Sequence, residues 1–262
     1  MCRLLALASS EPVDALAWLG ALRRAAEYDP LLERLAGTAE HGDGWGLAAL
    51  AGGRLIHYRS PTPIWSDPLV ETLATSISSP VALVAHARKA STGMPLGVGA
   101  AHPFALHLGS GGVVFVAQNG GVDIGRTLEL FGPVASPSNV DSFVYAAALA
   151  KLLEESGSLK RALIELHRGL ERGGAVRGMA NTVALLVERR GELWEAEIGV
   201  VRHVLREQLL EYGEIYLLER DGLAAAVSST LRWILRERME PVGRNRVLTA
   251  ALGDPRFERS AL

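Results

Sequence analysis

The chain carries one cysteine, and it stands at position 2. A lone thiol forms no internal disulfide, no zinc knuckle and no dithiol redox pair, which leaves nucleophilic chemistry. If Met1 is removed, Cys2 bears a thiol and a free α-amine on the same residue. Unperturbed, these titrate near about 8.5 and roughly 7.7–8.0, close enough for the amine to take the thiol proton at neutral pH. One residue then supplies nucleophile and base for amide cleavage through an acyl-enzyme. The alternative is a Cys–His dyad, for which nothing in the sequence selects among seven histidines. Polar clusters recur downstream: Glu40-His41-Gly42-Asp43-Gly44-Trp45-Gly46, His86-Ala87-Arg88-Lys89-Ala90-Ser91-Thr92-Gly93, Ala101-His102-Pro103-Phe104 and Gln118-Asn119-Gly120-Gly121. Singly, each reads as a turn, a hairpin or a solvated face. Together with a thiol at position 2 they read as a site.

Elements must bring these clusters together. Apolar runs over 81–85 and 113–117 lead into two of them and read as strands covered on both faces. The first ten residues read as another strand. Hairpins are indicated where 46–50 and 54–58 flank Ala51-Gly52-Gly53, where 183–188 and 193–197 flank Arg190-Gly191, and where 215–218 and 223–227 flank Asp221-Gly222. Helical spacing appears at Ala15, Leu16, Leu19 and Leu22, with Ser10 a candidate N-cap and Pro12 in the opening turn. Further helices are expected over 141–155, over 158–172 with Ser158 as cap, over 201–212 and over 230–239. No linker or repeat divides the chain, so one domain over 1–262 is expected. Antiparallel strands covered on both faces, with amphipathic helices, imply an α+β fold: a four-layer αββα sandwich of two mainly antiparallel sheets between helical layers.

The ordered motifs over roughly residues 2–142 resemble the class II glutamine amidotransferases, which are N-terminal-nucleophile hydrolases. In that resemblance Cys2, followed by Arg3, is the nucleophile, and Gly42-Asp43-Gly44-Trp45-Gly46 lines the site, placing Trp45 with substrate. Arg88 in Arg88-Lys89-Ala90-Ser91-Thr92-Gly93 holds the substrate α-carboxylate, Ser91 assists, and His102-Pro103 matches a pair found after that element. Asn119 and Gly120 form the oxyanion hole, and Asp141 pairs with the α-ammonium. Gln118 departs from the histidine common before Asn-Gly. It keeps a polar side chain and loses the ability to titrate. Members that use the released ammonia for synthesis carry a long acceptor domain, whereas the about 120 residues that follow Asp141 read, by their hairpins and helices, as the second half of the sandwich, so the resemblance is to the standalone branch.

Composition narrows the partners. A formal net charge of −2, with acids and bases interspersed, gives no footprint for nucleic acid. No apolar window reaches the about 18–20 residues needed to span a bilayer, and Arg3 breaks the start of any signal-like run. A soluble, cytoplasmic protein is expected, with a small-molecule substrate, no cofactor and no metal, since the histidines lack ligand spacing. The leading function is hydrolysis of a γ-glutamyl amide, glutamine or a γ-glutamyl conjugate, through a Cys2 thioester. Two alternatives stand beside it. One is a glutaminase subunit delivering ammonia to a separate synthase, for which the Arg-rich tail after Thr230 is an interface rather than a surface helix and charged coil. The other is a sensor that retains Met1 and binds without turnover. A homo-oligomer is left open.

Overall fold

A computed structural model describes residues 1–134 and 140–262. Its elements run β1 (Arg3–Ser9), α1 (Ala15–Glu27), α2 (Pro30–Ala36), β2 (Trp45–Ala51), β3 (Arg54–Ser60), α3 (Leu69–Ser76), β4 (Val81–Ala87), β5 (Phe104–His107), β6 (Val113–Val122) and α4 (Ile124–Phe131). The second half adds α5 (Asp141–Ser156), α6 (Leu159–Arg172), β7 (Val176–Arg190), β8 (Leu193–Arg202), β9 (Ile215–Arg220), β10 (Leu223–Ser228), α7 (Ser229–Leu235), β11 (Glu240–Pro241), β12 (Arg246–Ala251) and β13 (Asp254–Ala261). Among the described residues the strands form a seven-stranded sheet, ordered β11-β9-β10-β1-β4-β2-β3, and a six-stranded sheet, ordered β13-β12-β8-β7-β6-β5. Every pairing is antiparallel.

Strand alternation builds the layers, because successive side chains point to opposite faces. In β1, Leu4, Ala6 and Ala8 enter the core between the sheets, where they meet Phe115, Val183 and Ile198. Leu5 and Leu7 face the other way, into a second core with Trp18, Leu19 and Leu22 of α1 and Leu231 of α7. In β6, Phe115 and Ala117 take the inter-sheet side, while Val114 and Val116 meet Tyr145 and Leu149 of α5 and Leu163 of α6. The continuous apolar runs over 81–85 and 113–117 are therefore strands buried on both faces, and the αββα sandwich is present.

Several local expectations change. The first helix begins at Ala15, capped by Asp14, whose side chain accepts from the Ala17 N–H. Ser10 instead donates its backbone N–H to Gly222 O. The segment over 201–212 is not a helix. The β-branched Val200 and Val201 continue β8, pairing with Val183 and Thr182 on β7 and with Leu248 and Val247 on β12. Only a short 3₁₀ turn, Glu207–Leu209, follows. The helix expected over 230–239 stops at Leu235, and the Arg-rich tail contributes β12 and β13, a hairpin completing the edge of the six-stranded sheet. Helices α2, α3 and α4 are additional. No helix among the described residues is long and apolar enough to cross a membrane.

Candidate active site

Strand ends place the site. In the seven-stranded sheet Arg3 lies opposite Ala87 of β4, which lies opposite Trp45 of β2. In the six-stranded sheet Asn119 of β6 lies opposite Asn181 of β7. The start of β1 and the ends of β4 and β6 thus border a cleft of about 200 Å³, whose lining includes Cys2, Arg88, Ser91, His102, Gln118, Gly120, Asp141 and Ser142.

The N-terminal segment is held at nearly every polar atom. The Met1 α-amine donates to Lys89 O at 2.8 Å, and the Cys2 N–H donates to Asn119 Oδ1 at 2.7 Å. The Tyr212 hydroxyl donates to Cys2 O at 3.2 Å, and the Cys2 thiol lies 3.7 Å from Lys89 O. Arg3 stacks its guanidinium 4.1 Å from the Tyr212 ring centroid and donates through Nε to Asp29 Oδ2 at 2.6 Å. Asp29 also caps α2, accepting from the Leu31 N–H, and accepts from the Thr230 hydroxyl at 2.8 Å.

His41 joins this cluster, with Nε2 2.8 Å from Asp29 Oδ2 and Nδ1 3.1 Å from Met1 O. Burial works against ionisation of Asp29, but the His41 hydrogen bond and the Arg3 charge outweigh it and hold the carboxyl at about 2. Burial also lowers His41, to about 4, against the pull of Asp29. A neutral imidazole carries one proton, and two acceptors face this one. The charged carboxylate takes it, which leaves the Nδ1 lone pair against the Met1 carbonyl oxygen.

Gly120 is required by close approach. Its φ is 131°, and an added Cβ would lie 1.9 Å from Met179 O. Asn119, expected beside it in the oxyanion hole, is buried and does not line the cleft. Its side chain bridges the Cys2 N–H and the Tyr212 hydroxyl.

Arg88 is buried, donates through Nη2 to Pro95 O at 2.9 Å, and has no hydrogen-bond partner for Nη1 among the described residues. Asp141 opens α5, its Oδ2 accepting from the Val122 N–H at 3.1 Å. Ser91 is exposed at the rim. Burial and the nearby Arg88 charge lower His102 to about 3.

Trp45 is the correction. It is fully buried in the core beneath α1, with Nε1 donating to Asp67 Oδ2 at 2.8 Å, and does not line the cleft. The indole stands at the start of a strand that is apolar and buried at every residue, so it packs inward, and the motif acts from behind. The Asp43 N–H donates to Arg88 O at 3.0 Å, the Arg88 N–H to Gly44 O at 2.8 Å, and the Ala90 N–H to Asp43 Oδ2 at 2.8 Å. This clamps the arginine segment.

Sequence reasoning missed Asp29, Tyr212, Ser142 and Arg177 as neighbours of the site. Asp29-Pro30 was a legible N-cap with proline at N1. Tyr212 was hidden by the mistaken helix.

Two antiparallel sheets between helices, with the N-terminal strand end opening on a cleft, are the N-terminal-nucleophile hydrolase fold. Residues 1–198 match the family described as glutamine amidotransferases class-II, and the chain belongs to that family. It is 36% identical over 107 residues to a γ-glutamyl-hercynylcysteine sulfoxide hydrolase of Mycobacterium tuberculosis, covering 41% of this chain and 42% of that protein. It is 26% identical over 147 residues to the putative glutamine amidotransferase YafJ of Escherichia coli, covering 55% of this chain and 53% of the relative. The matches thus span about half the length of these curated relatives or less. Among solved structures, an allosteric regulatory enzyme of purine biosynthesis superposes with a TM-score of 0.68 at 15% identity, covering 99% of this chain and 49% of that one. A glutamine aminotransferase class-II domain protein from Silicibacter pomeroyi gives 0.55 at 18% identity, covering 100% and 98%. These likenesses concern the fold.

Proposed function

We propose that the Met1-free chain hydrolyses a γ-glutamyl amide, glutamine or a γ-glutamyl conjugate, with Cys2 as nucleophile. The observation that carries this is the single cleft lined jointly by Cys2, Arg88, Gly120 and Asp141, a thiol beside a cation, a backbone donor and an acid. Arg88, with Nη1 unpaired, takes the α-carboxylate, and Asp141 takes the α-ammonium. The Cys2 α-amine accepts the thiol proton, and the thiolate forms a bond to the δ-carbon. The oxyanion is held by the Gly120 N–H, a donor that acts on charge present only in the transition state, while Asn119, expected beside it, holds the Cys2 nitrogen from behind the cleft. The ammonium returns its proton to the leaving nitrogen as the C–N bond breaks. Water then hydrolyses the thioester to glutamate and free thiol.

His41 supports removal of Met1. With Met1 in place its Nδ1 lone pair faces a carbonyl oxygen. Removal takes that oxygen away and relieves the contact. The resemblance to a γ-glutamyl conjugate hydrolase supports a leaving group larger than ammonia, and Met94, Met179, Leu209 and Arg177 at the cleft offer it apolar and cationic contacts. One observation favours the sensor reading: Met1 is well seated, its amine on Lys89 O and its side chain against Leu31, Leu32 and Met179.

A panel of γ-glutamyl compounds on protein of verified N-terminus decides. Turnover by Met1-free chain and none by Cys2→Ala is expected. Full turnover by Cys2→Ala contradicts the proposal, and binding without turnover by Met1-free chain moves it to the sensor.

A further inference from the structure

Three side-chain polar atoms at this cleft are buried without a hydrogen-bond partner among the described residues: Arg88 Nη1 and both Oε1 and Nε2 of Gln118. Gln118 is 2% exposed and lines the cleft. A carboxamide buried with both ends unpaired is destabilising, so this side chain is poised for a ligand. Alternation along β6 puts Gln118 on the same face as Val114 and Val116, toward the α5 side, where Asp141 and Ser142 open the helix.

The neighbouring groups leave a second donor free. The Gln118 backbone N–H donates to His102 Nδ1 at 3.4 Å, which makes that nitrogen an acceptor and places the ring proton on Nε2. Nε2 then donates to Ser142 Oγ at 2.9 Å, and His86 Nε2 lies 3.2 Å from His102 Nδ1. Ser142, having accepted from His102, keeps its own hydroxyl proton for the cleft it lines.

We propose that the Gln118 carboxamide, backed by the Ser142 hydroxyl, is a specificity-determining element for the amino-acid end of the substrate: Nε2 donates to the α-carboxylate beside Arg88, and Oε1 accepts from the α-ammonium beside Asp141. This rests on the γ-glutamyl reading of the cleft and deepens it. The substrate class becomes γ-glutamyl compounds with both α-groups free. An acylated α-amine removes a donor that Oε1 and Asp141 need, and an amidated α-carboxyl removes an acceptor that Arg88, Nε2 and Ser142 need. An amide also leaves this recognition untouched by pH across the range in which a histidine titrates.

The test compares wild type with Gln118→Leu, both free of Met1, on L-glutamine and on glutaramic acid, which lacks the α-amine. For L-glutamine, KM is expected to rise about tenfold to a hundredfold with kcat changed little, the loss of one or two hydrogen bonds to charged groups. The rise for glutaramic acid is smaller, because Oε1 has no ammonium to lose. The thermal midpoint holds or rises, since an unpaired buried amide is removed. Unchanged KM, an equal rise on both substrates, or a lowered midpoint with kcat falling as much as KM rises overturns the proposal. A binding measurement keeps it separable from the hydrolase reading. L-Glutamate is titrated calorimetrically into Cys2→Ala with and without Gln118→Leu. Weaker binding in the double variant sustains the Gln118 role even if wild type turns nothing over. Equal binding, or none to either, removes it.

Discussion

At Gly120 one added methyl group ends the site. The clash is with the Met179 carbonyl on the neighbouring strand, so neither a side-chain rotation nor a local shift relieves it. Gly120→Ala is expected to distort the end of β6 and abolish turnover, with a lowered thermal midpoint as the first readout. Asn119→Ala acts differently, freeing the Cys2 nitrogen that Asn119 Oδ1 holds at 2.7 Å. A fall in kcat with KM changed little is expected, checked by steady-state kinetics, and an unchanged kcat shows that this hold does not matter for turnover. Cys2, Arg88, Gly120 and Asp141, which line one cleft, were legible as candidates only as an ordered set, since each alone reads as a turn, a hairpin or a solvated face. Trp45 was misassigned because its glycine-rich neighbours mark a close backbone approach, which says nothing about which way the indole points. An added Cβ on Gly46 would lie 2.4 Å from both His102 O and Tyr58 O, and that packing explains the glycine.

Among the elements, the turn before β2 does the positioning. Asp43 takes the Ala90 N–H and, more distantly, the Lys89 ammonium at 3.7 Å. Asp43→Ala is expected to loosen the Arg88–Ser91 segment, raising KM for a γ-glutamyl substrate several-fold while kcat changes less. Loss of a charge-assisted hydrogen bond of about 1.5–3 kcal/mol lowers the thermal midpoint by several degrees, checked by calorimetry. Most strands of the sandwich were legible from turn dipeptides and doubly apolar runs, and α5 and α6 from their stripes and the Ser158 cap. The segment over 201–212 was not, because Val201, Val204, Leu205 and Leu209 recur at helical spacing. What overrides that periodicity is tertiary: β8 lies between β7 and β12 and is paired on both sides. The last hairpin escaped for a related reason. β12 carries no alternation of polar and apolar residues, and β13 alternates them only over 254–258, so both gain strand character only when the sheet edge is there to receive them.

For the molecule as a whole, acid is the vulnerability. Burial lowers His86 and His167 well below the usual imidazole range, His41 to about 4 and His102 to about 3. In the unfolded chain these rings titrate near about 6.5. Between those values the unfolded state binds more protons than the folded one, so their contribution is fully present above about 6.5 and is lost as pH falls toward 4. The thermal midpoint is expected to drop steadily over that window. His41→Gln is expected to flatten the drop, checked by calorimetry across that window.

The central claim is that the two sheets converge to place an N-terminal thiol beside a glutamyl pocket. Its most direct test is mass spectrometry of Met1-free protein quenched during turnover of a γ-glutamyl substrate. The account predicts a glutamyl thioester on the N-terminal peptide at Cys2, absent in Cys2→Ala. Turnover without that adduct, undiminished when Cys2 is replaced, contradicts it.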